Sequence, residues 1–159
     1  SLELNDLFKE LGHDSMDVFC RDYWGKKILC TTINDDNVLE ILDDGFHSGD
    51  VLEILKECRK EDTNELFTPD EMEEMISDLE NRKITLILPF CFCTPAIDLK
   101  YSFIKEMSDY GADVEVGVYV SQIGGSPAPW HLDNNHNITI QLYGKKDWHC
   151  IPGNRNTYR

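Results

Sequence analysis

Residues 130–146 read WHLDNNHNITIQLYGKK. In a strand, side chains two residues apart point to the same face, so the imidazole of His131 and the carboxylate of Asp133 can converge on one metal ion. Apolar and polar residues then alternate over residues 137–142, which predicts a strand whose polar face continues from this pair. Two of the three ligands of a 2-His-1-carboxylate iron site would then be present. Two other interpretations stay open: the pair lies in an exposed loop, or His131 forms a hydrogen bond with the carboxylate of Asp133 and no metal is bound.

Apolar residues upstream recur mainly every three or four positions, which predicts helices. The sequence Thr68-Pro69-Asp70-Glu71 is the strongest helix start, with a capping threonine, a proline at the first helical position and a glutamate that completes a capping box. Helices are expected over residues 4–11, 15–23, 38–45, 68–80 and 94–111, with an element of uncertain type over 51–58. Strands are expected over residues 26–33, 84–88 and 114–120.

This order, with helices first and strands later, predicts an α+β fold. We expect one domain over residues 1–159, in which residues 1–110 form a mainly helical portion with a few strands. Residues 111–159 are expected to begin an antiparallel β-barrel on which that portion packs. The acidic helices should therefore lie outside the barrel.

The chain is strongly acidic, with 30 Asp and Glu residues against 15 Lys and Arg and a net charge of −15. Residues 35–80 alone hold 17 acidic side chains, whereas residues from Trp130 onward are locally basic. An acidic surface repels phosphate backbones, so we expect no nucleic-acid partner. Two interpretations of the acidic half stay open, a solvated helical surface and a docking surface for a basic protein.

The six cysteines predict a reducing compartment, cytoplasmic or nuclear, in which thiols act as small buried hydrophobes. Cys91 and Cys93 are too closely spaced for a zinc ribbon, and no paired CxxC spacing occurs. No stretch approaches the roughly 20 apolar residues of a membrane span, so no membrane partner is expected.

Two separate segments resemble the JmjC-type cupin oxygenases that hydroxylate ribosomal proteins, within the wider class of iron and 2-oxoglutarate hydroxylases. The first match runs from Trp130 through the HxD pair and the Gln141–Lys146 turn to Trp148. The second is FCRDYWGKK at residues 19–27, which is similar to the family's N-terminal signature. The resemblance implies a double-stranded β-helix, the cupin or jelly-roll barrel, of which this chain would hold the first half and so be incomplete at its C-terminus.

The resemblance also implies the site residues. His131 and Asp133 would bind Fe(II), and Lys146 would pair with the distal carboxylate of the cosubstrate 2-oxoglutarate. By position, Tyr119 on the preceding strand would also contact that cosubstrate. From the residues alone, Lys146 fits equally well as a solvent-exposed lysine in a hairpin turn. Tyr119 fits equally well as an ordinary tyrosine of a sheet.

The chain departs from the family at the third iron ligand, a histidine several strands after the HxD pair. Only His136 and His149 follow the pair, and neither has the expected spacing. We therefore expect negligible 2-oxoglutarate turnover from this chain alone, because two ligands hold a metal more weakly than three and an open barrel leaves its pocket wet.

The function expected from the resemblance is Fe(II)- and 2-oxoglutarate-dependent hydroxylation of a protein substrate, with a basic ribosomal or histone-like protein as one candidate. Two alternatives stay open. One is a catalytically inactive cupin-like binding or scaffold protein, and the other is a metal-dependent cupin enzyme that does not use 2-oxoglutarate. A homodimer also stays open.

Overall fold

The computed structural model describes residues 1–82, 84–107, 113–125 and 128–151. Six α-helices follow in chain order: α1 Leu4–Leu7, α2 Ser15–Val18, α3 Asp36–Gly45, α4 Val51–Lys56, α5 Pro69–Arg82 and α6 Thr94–Met107. Shorter helical turns cover Lys9–Leu11, Phe19–Tyr23 and His47–Gly49. Four strands are described: β1 Cys58–Arg59, β2 Leu86–Leu88, β3 Phe90–Cys91 and β4 Val118–Val120. The α+β class predicted from the sequence is confirmed at this level.

The main core forms where α6 meets the N-terminal segment and α3. Its buried side chains are Leu2, Leu4, Leu7, Phe8, Phe19, Val38, Leu42, Phe46, Cys93, Ala96 and Met107. The backbone N–H of Leu4 donates to the buried hydroxyl of Ser102 at 2.7 Å, and that of Leu2 donates to Asp98 Oδ2 at 3.1 Å. These bonds fix α1 on α6. The phenyl rings of Phe8 and Phe19 stack with centroids 4.4 Å apart.

A second core cluster lies beneath α5, whose N-terminus has the predicted capping box. Thr68 Oγ1 accepts from the N–H of Glu71 at 3.2 Å, and Glu71 Oε1 accepts from the N–H of Thr68 at 3.0 Å. The ammonium of Lys60 lies 2.7 Å from Glu71 Oε2 and, together with the Thr68 bonds, lowers the pKa of Glu71 to about 2. Met72 and Leu79 face inward from α5, as the helical periodicity predicts.

The strands form two small antiparallel sheets, β1 with β3 and β2 with β4. Over residues 113–121 the valines are half-buried and the residues between them are exposed, so the predicted alternation is confirmed, although only Val118–Val120 pair as a strand. Within the described residues no cupin barrel is present. None of the described helices has the length and apolar character that a membrane span requires.

The strand predicted for residues 26–33 is wrong. The chain leaves the Phe19–Tyr23 turn through Gly25, which adopts φ +69°, and the N–H groups of Lys26 and Lys27 donate back to the carbonyl of Tyr23. These bonds extend a helical end instead of starting a strand. The residues that follow have no hydrogen-bonded strand partner among the described residues. The end predicted for α6, near Gly111, lies outside the described residues.

Replacing Ser102 with alanine should lower the free energy of unfolding by about 1–3 kcal/mol, because the N–H of Leu4 would be left buried without an acceptor. Urea denaturation measures the change. The matched control is Ser77→Ala on the exposed face of α5, which should change stability by less than about 0.5 kcal/mol. Equal losses from both substitutions would contradict this account of α1.

The cap of α5 gives a second prediction. Thr68→Ala should destabilise the protein by about 1 kcal/mol, whereas Thr68→Ser keeps the accepting hydroxyl and should retain most of that stability. Thermal unfolding followed by circular dichroism compares the two. If the serine variant loses as much as the alanine variant, the hydroxyl is not what stabilises the helix start.

Candidate functional site

His131 and Asp133 lie next to each other, but residues 131–133 form no strand and both side chains are exposed, so the strand geometry expected from their spacing is absent. The ring Nδ1 of His131 lies 2.7 Å from the carbonyl oxygen of Pro129, so Nδ1 carries the hydrogen and donates it. In the neutral ring this leaves the lone pair on Nε2. Nε2 lies 3.6 Å from Asp133 Oδ1, and Asp133 Oδ2 accepts from the side-chain amide of Asn137 at 2.7 Å. Each prospective ligand is thus oriented by a neighbouring group, as metal ligands commonly are.

The separation of these two atoms is longer than a direct hydrogen bond and close to the separation of two ligands of one ion. A hydrogen bond between them would require roughly 2.7–3.2 Å. Donor atoms about 2.0–2.2 Å from one ion stand roughly 3–3.5 Å apart in octahedral or tetrahedral geometry. A movement of a few tenths of an ångström would therefore let His131 and Asp133 hold one ion. An imidazole nitrogen with a carboxylate oxygen is a donor set that suits Fe(II).

The pair lies at the surface. The side chain of His131 is 58% exposed and that of Asp133 48% exposed. Among the described residues, no group of three or more His, Cys, Asp or Glu side chains is arranged to hold a metal. His136 instead packs against Trp24, with ring centroids 4.5 Å apart, and His149 is exposed. Neither supplies a third ligand to the pair.

The contact of His136 with Trp24 joins the two segments that carry the family resemblance. Trp24 belongs to the FCRDYWGKK segment and also packs edge-on against Phe103 of α6, with centroids 5.7 Å apart. The bend at Asn134 and Asn135 brings His136 to this indole. Residues 19–27 therefore support the chain immediately after the HxD pair.

The two residues expected to bind the cosubstrate are both exposed. Tyr119 lies on β4 opposite Ile87, and the side chains of both are more than half exposed on the outer face of the sheet. Lys146 is exposed beyond the Gly144 bend. Neither side chain makes a hydrogen bond or ion pair with another described residue. The structure thus brings His131 and Asp133 together, and it leaves Tyr119 and Lys146 without contact to them.

Residues 137–142 show the predicted alternation without forming a hydrogen-bonded strand. Ile138, Ile140 and Leu142 are half-buried against the main core, and the polar residues between them are exposed. Because this segment does not pair with residues 28–33, an apolar cavity of about 510 Å³ remains between them, above α1 and α3. The predicted alternation of half-buried and exposed side chains over residues 137–142 is confirmed. The predicted strand is absent, because this segment pairs with no other strand among the described residues.

Tyr143 anchors this segment to α3, a contact that the sequence does not reveal. Its hydroxyl donates to Asp43 Oδ1 at 2.5 Å, and its ring packs on Gly49. Burial, followed by this bond to the carboxylate, raises the pKa of Tyr143 to about 12. The bond from the side-chain amide of Asn137 to Asp133 was likewise not predicted from the sequence.

Comparison of the chain with protein-family models, with curated proteins and with solved structures finds no match.

Tyr143→Phe should lower the free energy of unfolding by about 0.5–1 kcal/mol at neutral pH, because Asp43 is exposed and regains water when the hydroxyl is lost. The folded-state pKa is raised, so the contribution of the hydroxyl is complete below about pH 10 and is lost as the pH rises through about 12. Denaturation across this window should show a steeper loss in the wild type than in the variant. Parallel pH profiles would contradict the Asp43 contact.

Proposed function

We propose that the chain carries part of the iron site of an Fe(II)- and 2-oxoglutarate-dependent protein hydroxylase of the JmjC cupin type. The observation that carries the proposal is the convergence of His131 Nε2 and Asp133 Oδ1, 3.6 Å apart, inside a segment that resembles this family. We also propose that the complete fold is a double-stranded β-helix. The outer face of the β2–β4 sheet, with exposed Ile87 and Tyr119, is the face that further barrel strands would cover.

His131 and Asp133 are assigned as two ligands of the metal. Pro129 holds the imidazole in the tautomer that presents Nε2, and Asn137 holds the carboxylate, so both donor atoms are oriented before an ion arrives. When bound, the iron and its cosubstrate supply the oxidising chemistry. The third ligand would come from residues outside those described.

Lys146 is assigned to the distal carboxylate of 2-oxoglutarate. Its ammonium is unpaired among the described residues and is therefore available to an anionic cosubstrate. A charge-assisted bond between an ammonium and a carboxylate is one of the stronger hydrogen bonds in proteins, and covering the site would strengthen it. Tyr119 would add a hydroxyl donor to the same carboxylate.

The second candidate is a cupin-like binding protein without catalysis. Two observations favour it: His131 and Asp133 are both about half exposed, and the described residues offer no third ligand. In this case the acidic helices α3 to α5 would dock a basic partner protein. The two candidates differ in whether His131 is needed for any activity.

The test is release of succinate from 2-oxoglutarate with Fe(II) and ascorbate, assayed on this chain and on the longest native polypeptide that contains it. We expect turnover in the longer polypeptide and at least about a 100-fold loss on His131→Ala or Asp133→Ala. The loss is expected because removing either ligand leaves fewer groups to hold the metal. We expect negligible turnover from this chain alone.

Lys146→Ala should raise the KM for 2-oxoglutarate by about 10- to 100-fold, the effect of losing one charge-assisted bond. Lys145→Ala is the matched control, since it removes the neighbouring positive charge and should leave the KM within about twofold. Full turnover in the His131→Ala variant would contradict the iron site. Absence of turnover in the longer polypeptide with a panel of basic peptides would favour the binding protein.

A further inference from the structure

Three thiols meet away from the HxD pair, where β1 and β3 lie between the two core clusters. Cys91 Sγ lies 3.6 Å from Cys93 Sγ, and Cys58, the strand partner of Cys91, donates its thiol hydrogen to the carbonyl of Ile54 at 3.3 Å. Cys58 and Cys93 are fully buried, and Cys91 is half-buried. Solvent therefore reaches the cluster through Cys91. We refer to these three residues as the thiol cluster.

The pairing of β1 with β3 sets Cys58 directly opposite Cys91. The neighbouring residues Glu57 and Phe92, which precede Cys58 and follow Cys91, form a hydrogen-bonded pair, because the N–H of Phe92 donates to the carbonyl of Glu57. Hydrogen-bonded and non-hydrogen-bonded pairs alternate along an antiparallel ladder, so Cys58 and Cys91 form a non-hydrogen-bonded pair. The N–H of Cys91 accordingly donates elsewhere, to the carbonyl of Val116.

Side chains approach most closely at non-hydrogen-bonded positions, where the Cα atoms lie about 4.5 Å apart. Disulfides span Cα separations of roughly 4.4–6.8 Å, so Cys58 and Cys91 can be bridged without moving the strands apart. Cys91 ends β3, whereas Cys93 lies in the bend that precedes α6, so these two residues do not face each other across paired strands. The register therefore favours Cys58 as the partner of Cys91.

The surroundings also make Cys91 the nucleophilic thiol. Interactions with the thiols of Cys58 and then of Cys93 lower the pKa of Cys91, and nearby His47 adds to the effect. The same contacts, followed by burial, raise the pKa of Cys58 and of Cys93. Glu57 precedes Cys58, and its Oε2 lies 2.6 Å from His47 Nε2. Cys91 is thus the thiol of the cluster that ionises most readily.

We propose that the thiol cluster is an oxidation site at which a hydroperoxide converts Cys91 and Cys58 into a disulfide. The Cys91 thiolate attacks one peroxide oxygen, the O–O bond breaks, and the leaving oxygen departs as water or an alcohol after taking up a proton. Cys91 is then a sulfenic acid. The Cys58 thiol attacks its sulfur, the S–O bond breaks, and a second water leaves. Two thiols are oxidised by two electrons, and one peroxide is reduced.

The disulfide would tie the end of α4 to the chain that enters α6, closing a loop that contains α5. Crosslinking residues so far apart in sequence restricts the unfolded chain. Oxidation should therefore raise the melting temperature of the protein by several degrees, and a thiol reductant should reverse the change.

The experiment uses the purified chain with Cys30→Ser and Cys150→Ser, which remove two exposed thiols and so suppress crosslinks between molecules. One equivalent of hydrogen peroxide is added, remaining thiols are alkylated, and the disulfide is located by peptide mass spectrometry. We expect a loss of two thiols per molecule and a peptide pair joined through Cys58 and Cys91. Recovery of both thiols with dithiothreitol is the expected reversal.

Three variants on that background test the assignment. Cys58→Ser and Cys91→Ser should each abolish the disulfide, whereas Cys20→Ser, the matched control outside the thiol cluster, should leave its yield unchanged. Substitutions at the cysteines of the thiol cluster can impair folding. A second measurement, alkylation by iodoacetamide, therefore uses the protein with all three thiols of the cluster in place. Alkylation of Cys91 by iodoacetamide should persist at pH values well below 8.5, where an ordinary thiol loses its reactivity.

Three results would overturn the proposal. The first is a disulfide between Cys91 and Cys93 with Cys58 left free. The second is oxidation of Cys20 before any reaction at Cys91. The third is a zinc ion held by the three thiols in the purified protein, which would make them ligands.

Discussion

The placement of α6 is the constraint on which the rest of the structure depends. Its inner face holds α1 through the buried bond from Leu4 to Ser102, and its first turn meets the end of α3, where a Cβ at Gly45 would collide with the ring of Pro95. Met107 at its end is fully buried in the main core. The helix follows directly on Cys93, so the same packing fixes β3 and the thiol cluster.

The C-terminal segment depends on this core without completing it. Ile138, Ile140 and Leu142 pack against the main core, and Tyr143 adds one polar anchor on Asp43. Its polar residues, with His131 and Asp133 among them, face outward. Several large apolar side chains of this segment are also exposed, among them Trp130 and Trp148. An exposed apolar surface of this kind usually marks a face that other structure covers.

Local patterns in the sequence were sufficient to predict the features that depend on neighbouring residues. The capping box of α5 and the alternation over residues 113–121 and 137–142 are local in this sense. Pairing between distant segments was not predictable, so residues 26–33 were wrongly assigned to a strand, and the meeting of Cys58 with Cys91 was not foreseen. Periodicity tells which side chains share a face, but it does not tell whether another layer covers that face.

The central claim is that His131 and Asp133 hold one metal ion. The most direct measurement is paramagnetic broadening of assigned NMR signals as Mn(II), a stand-in for Fe(II), is added at low stoichiometry. The account predicts that the signals of His131, Asp133 and their immediate neighbours broaden first, and that His131→Ala removes the effect. The acidic side chains of residues 35–80 offer the competing weak sites. Broadening confined to those residues, with His131 unaffected, would contradict the claim.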